Sequence, residues 1–485
     1  MISRRHFFFG SLLAGAVPSA GFGSVASLKR SGFRSPNEKL NIACIGAGGR
    51  APTNIAGCAT ENMVAFADVD EVSAGPTYGR FEKAPKYRDF RRMLDRESID
   101  AAIITTPDHS HAVIALACME RGIHVYVEKP LARTVGETRL LAQAAAKYKV
   151  ATQMGNQGYS NEGARVAAEI IWAGEIGDVR EVRAWTDRPI WDQGISQLPA
   201  AEPVPATLDW DVWLGPAAMR PYSSAYCPFV WRAWFDFGSG ALGDIACHAL
   251  GAVHMALRLG PPASVEVVRQ GGRNPYTFGS SAETHFHFPA RGALPPVKLI
   301  WNDACSDGLP WRPPGVPASE PLIGGAGTFG ANGVMFGGAG PMKPGAAPAA
   351  PPSGPMARFY KRMRRAPDAS GAIFIGDKGY LTSDNYGANV RLLPESRHRE
   401  YKLPPQVLTR SPGHYQDWIR ACKGGDPACS NFAVAGPFTE IVQLGALAAR
   451  VEGRLDWDSV NLRVTNQPAA NQFIKPTARK GWQIG

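Results

Sequence analysis

Between residues 40 and 155 the chain alternates short apolar runs with stretches of helical period. The runs at 42–45, 64–67, 99–104, 124–127 and 150–155 read as strands buried in a parallel sheet. Pro107 stops the third run, and a helix is predicted from near His111, where Ala112, Ala115, Leu116 and Met119 recur at helical spacing and Gly122 ends it. Another helix is expected from 135 to 148. Strand and helix in regular succession predict an α/β fold with a doubly wound parallel sheet over 39–155.

After residue 155 the pattern changes, and a second domain is expected over 156–485. A helix is predicted at 165–173, closed by Gly174, and 179–186 alternates like a strand. The stretch 187–230 is irregular and carries Trp191, Trp210 and Trp213, with Trp231 and Trp234 just beyond it. A helix is expected over 242–259, strands at 264–269, 282–288, 297–301, 373–375 and 389–393, and a last helix over 436–452. Residues 308–356 are rich in Gly, Pro and Ala without periodicity and read as a long loop insertion.

The first strand ends in Gly46-x-Gly48-x-x-Ala51, with Gly49 and Arg50 inside the loop. This is the G-x-G-x-x-A form of the dinucleotide fingerprint: a tight turn, a close approach of backbone to pyrophosphate, and a small residue where helix meets strand. Asp68 ends the second strand 22 residues after Gly46, where an acid binds the adenosine ribose hydroxyls. That favours NAD, although one acid leaves NADP open. Ligands of such sheets lie beyond the strand C-termini. Thr106, Pro107, His109, His111, Glu128, Lys129, Asn156 and Gln157 all fall there. Beyond the nucleotide domain, Asp244 and His248 are four apart on a predicted helix. On one face the carboxylate would orient the imidazole and favour its charged form, which suits acid–base chemistry. The residues alone do not say which of Lys129, Asp244 and His248 is the base.

Composition is that of a globular protein, with 45% hydrophobic and 19% charged residues. The net charge of +10 is scattered apart from a basic run at 361–365, and with no accompanying motif it does not point to nucleic acid. No His or Cys spacing suggests a metal site. Of eight cysteines, Cys44, Cys58, Cys118 and Cys247 read as buried thiols, and Cys422 and Cys429 flank a glycine loop as the one candidate pair. Ser3-Arg4-Arg5-His6-Phe7-Phe8, an apolar run too short to span a bilayer, and small residues near 24–26 form a twin-arginine signal over 1–30, followed by a linker at 31–38. The expectation is a periplasmic or extracytoplasmic protein, exported folded by the twin-arginine machinery with its cofactor loaded beforehand.

Taken in order, Gly46–Ala51, Thr106-Pro107-x-x-x-His111, Glu128-Lys129-Pro130 and Asp244-x-x-x-His248 with the glycines before it make the chain resemble the Gfo/Idh/MocA oxidoreductases. The resemblance implies a second domain built on a large, open, mostly antiparallel sheet whose free face makes a homo-oligomer contact. It implies that Gly46, Gly48, Ala51 and Asp68 bind the adenosine half of the cofactor. Thr106, Pro107, His111 and Glu128 would line the route to the nicotinamide. Lys129 would steady the reacting hydroxyl, His248 would take its proton, and Asp244 would hold the imidazole or the substrate. The 308–356 segment is longer than the family pattern. The expected activity is hydride transfer from a carbohydrate or polyol to NAD. Outside the cytoplasm no NAD pool is maintained, so the cofactor must be held tightly and regenerated in place. A redox-neutral glycoside hydrolase, working by oxidation, elimination, hydration and reduction, is the alternative expectation. A sugar-binding relative without catalysis is a third. Tryptophans 191, 210, 213, 231 and 234 are candidate sugar platforms, with core packing the competing role for each.

Overall fold

The computed structural model describes residues 38–324, 329, 361–362 and 369–484. The export signal, most of the linker and most of the 308–356 insertion lie outside the described residues. Six parallel strands form the first sheet: β1 (Asn41–Ile45), β2 (Asn62–Ala67), β3 (Lys86–Tyr87), β4 (Ala101–Ile104), β5 (His124–Glu128) and β6 (Thr152–Gly155), in the order β3-β2-β1-β4-β5-β6. The order reverses at β1, which is where a doubly wound sheet opens a ligand crevice. Five helices connect these strands: α1 (Ala51–Gly57), α2 (Glu71–Arg80), α3 (Phe90–Arg96), α4 (Asp108–Glu120) and α5 (Val135–Tyr148).

Successive strand residues serve opposite faces. Ala43, Ile45, Ala65, Ala67, Ala102, Ile104, Val125 and Val127 join the larger core, which includes residues of α3, α4 and α5. Ile42, Cys44, Phe66, Ile103 and Tyr126 pack on Ala51 and Ile55 of α1. This second face is completed from far away. Tyr415, Trp418, Ile419 and Cys422 belong to the helix His414–Cys422, which the chain reaches only after passing through most of the second domain. The cover of the nucleotide sheet therefore includes a helix from the second domain's part of the chain. This helix is amphipathic and was missed because its apolar residues sit in a polar neighbourhood of the sequence.

The second domain follows from α6 (Glu162–Trp172). Its sheet has nine strands: β7 (Val179–Thr186), β8 (Ser264–Gly271), β9 (Ser281–Phe288), β10 (Val297–Asn302), β11 (Ser370–Gly376), β12 (Gly379–Asp384), β13 (Val390–Leu393), β14 (Leu455–Asp458) and β15 (Arg463–Val464). Their order is β13-β12-β11-β7-β10-β9-β8-β14-β15. Among the described residues of this sheet only β7 and β10 pair in parallel, so the open, mostly antiparallel sheet is as expected. Among the described residues the remaining α-helices are α7 (Trp210–Leu214), α8 (Cys247–Ala249), α9 (Gly251–Leu257), α10 (Glu395–Glu400), α11 (His414–Cys422) and α12 (Phe432–Ala448). α12 is buried on almost every side, as an apolar helix between two layers must be.

One expectation needs correction, and two open alternatives are decided. The single helix over 242–259 is broken into a π turn at Leu242–Ala246, then α8 and α9. Trp191, Trp210, Trp213, Trp231 and Trp234 are all buried in one aromatic cluster with Tyr226 and Phe237, so they are core and not open platforms. All eight cysteines, including Cys422 and Cys429, are free thiols. No described helix is long and apolar enough to cross a membrane.

The irregular stretch after β7 does not stay with its own domain. It returns to the nucleotide domain, where Asp209 N donates to Val69 O at 2.8 Å and Glu71 N donates to Thr207 O at 3.1 Å. Val69 packs into the aromatic cluster. The turn after β2 is thus strapped by a segment that belongs, in the order of the chain, to the second domain.

Candidate active site

The glycine loop is built as its sequence requires. Gly46 has φ +83°, and a Cβ there would sit 2.8 Å from the Thr105 carbonyl carbon and 2.9 Å from Thr106 N. At Gly48 a Cβ would fall 2.1 Å from Ser73 Oγ and 2.9 Å from its carbonyl oxygen. The loop therefore touches both neighbouring crossovers, and only hydrogen fits. Asp68 stands at the end of β2. Its Oδ2 accepts from Ala47 N (2.6 Å) and Gly48 N (3.0 Å), and its Oδ1 from Asp70 N (2.9 Å). Burial raises the Asp68 carboxyl, and these three amides oppose that rise. The amides of Gly49 and Arg50 have no protein acceptor among the described residues, and the space beside Gly49 is open. Two free donors at a loop with room beside it fit a dinucleotide pyrophosphate.

Below the loop lies a buried polar network. Glu128 Oε1 accepts from Asn54 Nδ2 (2.9 Å) and Gln157 Nε2 (3.2 Å), and the Arg50 guanidinium lies 3.7 Å away. Gln157 Nε2 also donates to the Tyr126 hydroxyl, and the Tyr415 hydroxyl donates to Asn54 Oδ1. Asn156 accepts from Ser430 Oγ at 2.6 Å while its Nδ2 is buried without a partner. Thr106 Oγ1 is likewise buried and unpartnered. Such groups are stabilised once a ligand supplies the missing bonds.

The two histidines of the Thr106–His111 stretch have structural work. His111 spans two carbonyls, Nδ1 to Pro130 O and Nε2 to Thr106 O, each 2.8 Å, and so ties the β4–α4 loop to the turn after β5. It orders the site without presenting a free nitrogen. His109 is a correction. Its ring sits against Trp213 and Phe237, its Nε2 meets Trp213 O at 2.8 Å, and burial lowers it to about 3. It belongs to the aromatic core, not to the crevice edge. Pro107 caps α4, and Asp108 follows it, buried and raised by that burial against the field of His111 and Lys129.

Lys129, at the end of β5, reaches the second domain. Its Nζ donates to Asp244 Oδ1 and to the Asp244 carbonyl, both at 2.7 Å. Arg232 Nε donates to the same Oδ1 at 3.2 Å. Burial alone would raise the Asp244 carboxyl, but the charges of Lys129 and Arg232 outweigh it and hold the group well below the usual carboxylate range. The expected Asp244–His248 pair does not form. The π turn holds more than the 3.6 residues per turn of an α-helix, so a spacing of four no longer stacks the side chains. The carboxylate goes to the lysine instead. His248 keeps Nδ1 buried and unpartnered, and its ring lies on Tyr386 with centroids 4.6 Å apart. Burial first, and then the Lys129 charge, push its imidazole well below its ordinary value, the reverse of the protonated form expected from the sequence. The site therefore offers a neutral imidazole beside a cation.

Tyr386, Arg232 and Asn54 were not found from the sequence. Tyr386 sits in the β12–β13 turn, which Asp384 organises by accepting from Tyr386 N, Ala388 N and Asn389 N. That Asp-x-Tyr-Gly turn signal was visible, but nothing local joined it to His248, which lies five strands earlier in the chain.

Comparisons with known proteins agree with this architecture. Residues 40–156 match the Gfo/Idh/MocA model described as an oxidoreductase family, NAD-binding Rossmann fold. Residues 178–273 match the model for that family's C-terminal alpha/beta domain. Levoglucosan dehydrogenase of Pseudarthrobacter phenanthrenivorans is 28% identical over 186 residues, covering 38% of this chain and 40% of that protein. An alpha-N-acetylgalactosaminidase of Shewanella oneidensis is 30% identical over 194 residues, covering 33% and 41%. The chain thus matches about two fifths of the length of these relatives. In fold it is similar to the WlbA dehydrogenase from Chromobacterium violaceum, solved with NADH and UDP-GlcNAcA, with a TM-score of 0.56 at 15% identity over 88% of this chain and 98% of that one. Each of the two domains thus matches a model of the Gfo/Idh/MocA oxidoreductases, the first of them NAD-binding, and NAD is the cofactor.

Proposed function

We propose that the protein oxidises a hydroxyl of a carbohydrate or polyol and keeps its NAD through the cycle. The observation that carries this reading is the meeting of Lys129 and Asp244 beside a neutral His248 at the open end of the nucleotide sheet. Bound NAD supplies the hydride acceptor. Lys129, fixed by two bonds to Asp244, holds the reacting hydroxyl oxygen and steadies its developing negative charge. His248 receives the hydroxyl proton on an imidazole nitrogen that burial keeps unprotonated. Asp244 positions the lysine, a role assigned here in place of holding the imidazole. The similarity to levoglucosan dehydrogenase supports a sugar substrate.

Export and retention belong to the same reading. The Ser3–Phe8 pattern supports passage through the twin-arginine route to an extracytoplasmic compartment. The strap over Val69–Glu71 supports slow cofactor release, since it packs beside the Asp68 turn. A homo-oligomer formed through the outer face of the nine-stranded sheet is part of the proposal. That face carries Glu181, Arg183, Glu283, His285 and Lys298, all incompletely buried.

A second reading rests on the likeness to alpha-N-acetylgalactosaminidase. There the oxidised sugar loses its C2 proton and expels the C1 leaving group, water adds, and the hydride returns. The test uses the mature protein incubated with aryl glycosides in heavy water. Nicotinamide is expected to co-purify. Sugar release without added NAD, with deuterium at C2, supports the hydrolase; accumulation of a keto-sugar only with an added electron acceptor supports the oxidoreductase. Neither sugar release nor keto-sugar formation with any sugar tried, with or without the acceptor, overturns both.

The pH profile gives a second check. A base must be unprotonated to act, and His248 is shifted downward. The acid limb of kcat/KM is therefore expected below the ordinary imidazole value of about 6.5. A limb at or above that value would remove His248 as the base.

A further inference from the structure

Two cations share one carboxylate oxygen in the crevice. Lys129 Nζ and Arg232 Nε both donate to Asp244 Oδ1. Arg188, bonded to Asp187 Oδ1, adds a third positive charge felt at Asp244 and at Tyr386. Lys129, Arg188 and Arg232 thus face Asp187 and Asp244, which leaves one cation in excess. Asp108 does not clearly balance it, because burial disfavours its charged form. The group is not sealed in the core: the side chains of Lys129, Asp244 and Arg232 are 15%, 16% and 23% exposed.

Arg232 is the member with capacity to spare. Its guanidinium lies on the rings of Trp231 and Phe229, 4.3 and 4.4 Å from their centroids, and Nη1 donates to Phe229 O. Those contacts fix the plane of the fork. Nε goes to Asp244, and Nη2 has no protein acceptor among the described residues. An alcohol needs one cation to steady its alkoxide, and Lys129 fills that need. A second, rigidly held guanidinium with a spare donor is the arrangement that receives a carboxylate.

We propose that the substrate is a sugar bearing a carboxylate, of the uronic acid class, and that Arg232 is the residue that selects it. This rests on the reading of the site as a sugar oxidoreductase. The carboxylate binds to Arg232 while the hydroxyl to be oxidised lies on Lys129, so the two ends of the sugar fix its orientation. No further chemistry is asked of the carboxylate, which leaves unchanged.

The test uses the purified holoenzyme and matched pairs of methyl glycosides: glucuronide with glucoside, and galacturonide with galactoside, in both anomers. Steady-state turnover, with an added electron acceptor that reoxidises the bound cofactor, gives kcat and KM. At least one acidic sugar is expected to exceed its neutral partner by about tenfold or more in kcat/KM, chiefly through KM. Arg232→Gln is expected to bring that ratio close to one, and Arg232→Lys to restore part of it. Thermal melting of both variants checks folding. Neutral sugars matching or exceeding their acidic partners would overturn the proposal and leave the oxidoreductase reading standing. So would an unchanged ratio in Arg232→Gln. If no sugar of either kind reduces the cofactor, both fall together.

Discussion

Lys129→Met is expected to lower kcat by about a thousandfold or more, roughly 4 kcal/mol of transition-state stabilisation, with the cofactor still bound. Methionine keeps most of the volume and the apolar stem but cannot hold an alkoxide. Asp244 would keep only its Arg232 bond at 3.2 Å. Removing one partner of a buried ion pair costs about 3–5 kcal/mol where nothing replaces it. Here Arg232 remains, so the loss of stability is expected at or below the lower end. Single-turnover reduction of bound cofactor measures the chemical step, nicotinamide content per chain measures retention, and a melting curve separates both from unfolding. Near-normal turnover in a folded, loaded variant would remove Lys129 from the chemistry.

Gly46→Ala is expected to have the largest effect on stability and cofactor content together. The residue sits at φ +83°, which costs an L-residue roughly 1–2 kcal/mol. Its new methyl would also press on backbone at Thr105 and Thr106, within 2.8 and 2.9 Å. Forced overpacking adds about 1–3 kcal/mol. β1 and β4 are neighbours in the centre of the sheet, so neither can move aside cheaply. The expected result is a fall in melting temperature of roughly 5–15 °C and loss of bound nicotinamide. Gly49→Ala is the control. It also has positive φ, but a Cβ there would meet nothing within 4 Å, so only the backbone strain applies. Equal effects of the two substitutions would show that contact with the β4 loop is not what matters.

What the sequence made legible follows from the range of the interactions. The five longer strands of the nucleotide sheet declare themselves because each is buried on both faces and lies in one stretch of chain. The two-residue β3 has no such run. The glycine loop, Asp68 and Lys129 were legible because sheet topology alone places strand ends together. The pairing of Lys129 with Asp244 was not, since it joins two domains across a long stretch of chain. The π turn misled the reading more directly: four-residue spacing implies a shared face only in a regular α-helix. His109 was misplaced for a similar reason. Its position in the chain puts it at the crevice, but Trp213 and Phe237, from the second domain's part of the sequence, draw the ring into an aromatic core. The tryptophans show the same limit, because aromatic residues read alike whether they face a sugar or one another.

The helix α11, which returns from residue 414 to cover β1, β2, β4 and β5, also sets an order of events. A ribosome that has released the chain as far as Gly155 has made every strand of the nucleotide sheet. One face of that sheet, with Ile42, Cys44, Phe66, Ile103 and Tyr126, has α1 against it but lacks the rest of its cover until Cys422 emerges. The Asp68 turn waits in turn for Thr207 and Asp209. A nascent chain therefore presents an unfinished nucleotide fold for most of its synthesis, and it is completed only when synthesis is nearly done. Such a chain needs protection from aggregation during that interval. A truncated nucleotide domain ending near Gly155 is a poor choice for expression, because it lacks Tyr415, Trp418, Ile419 and Cys422 from the layer that covers one face of its sheet.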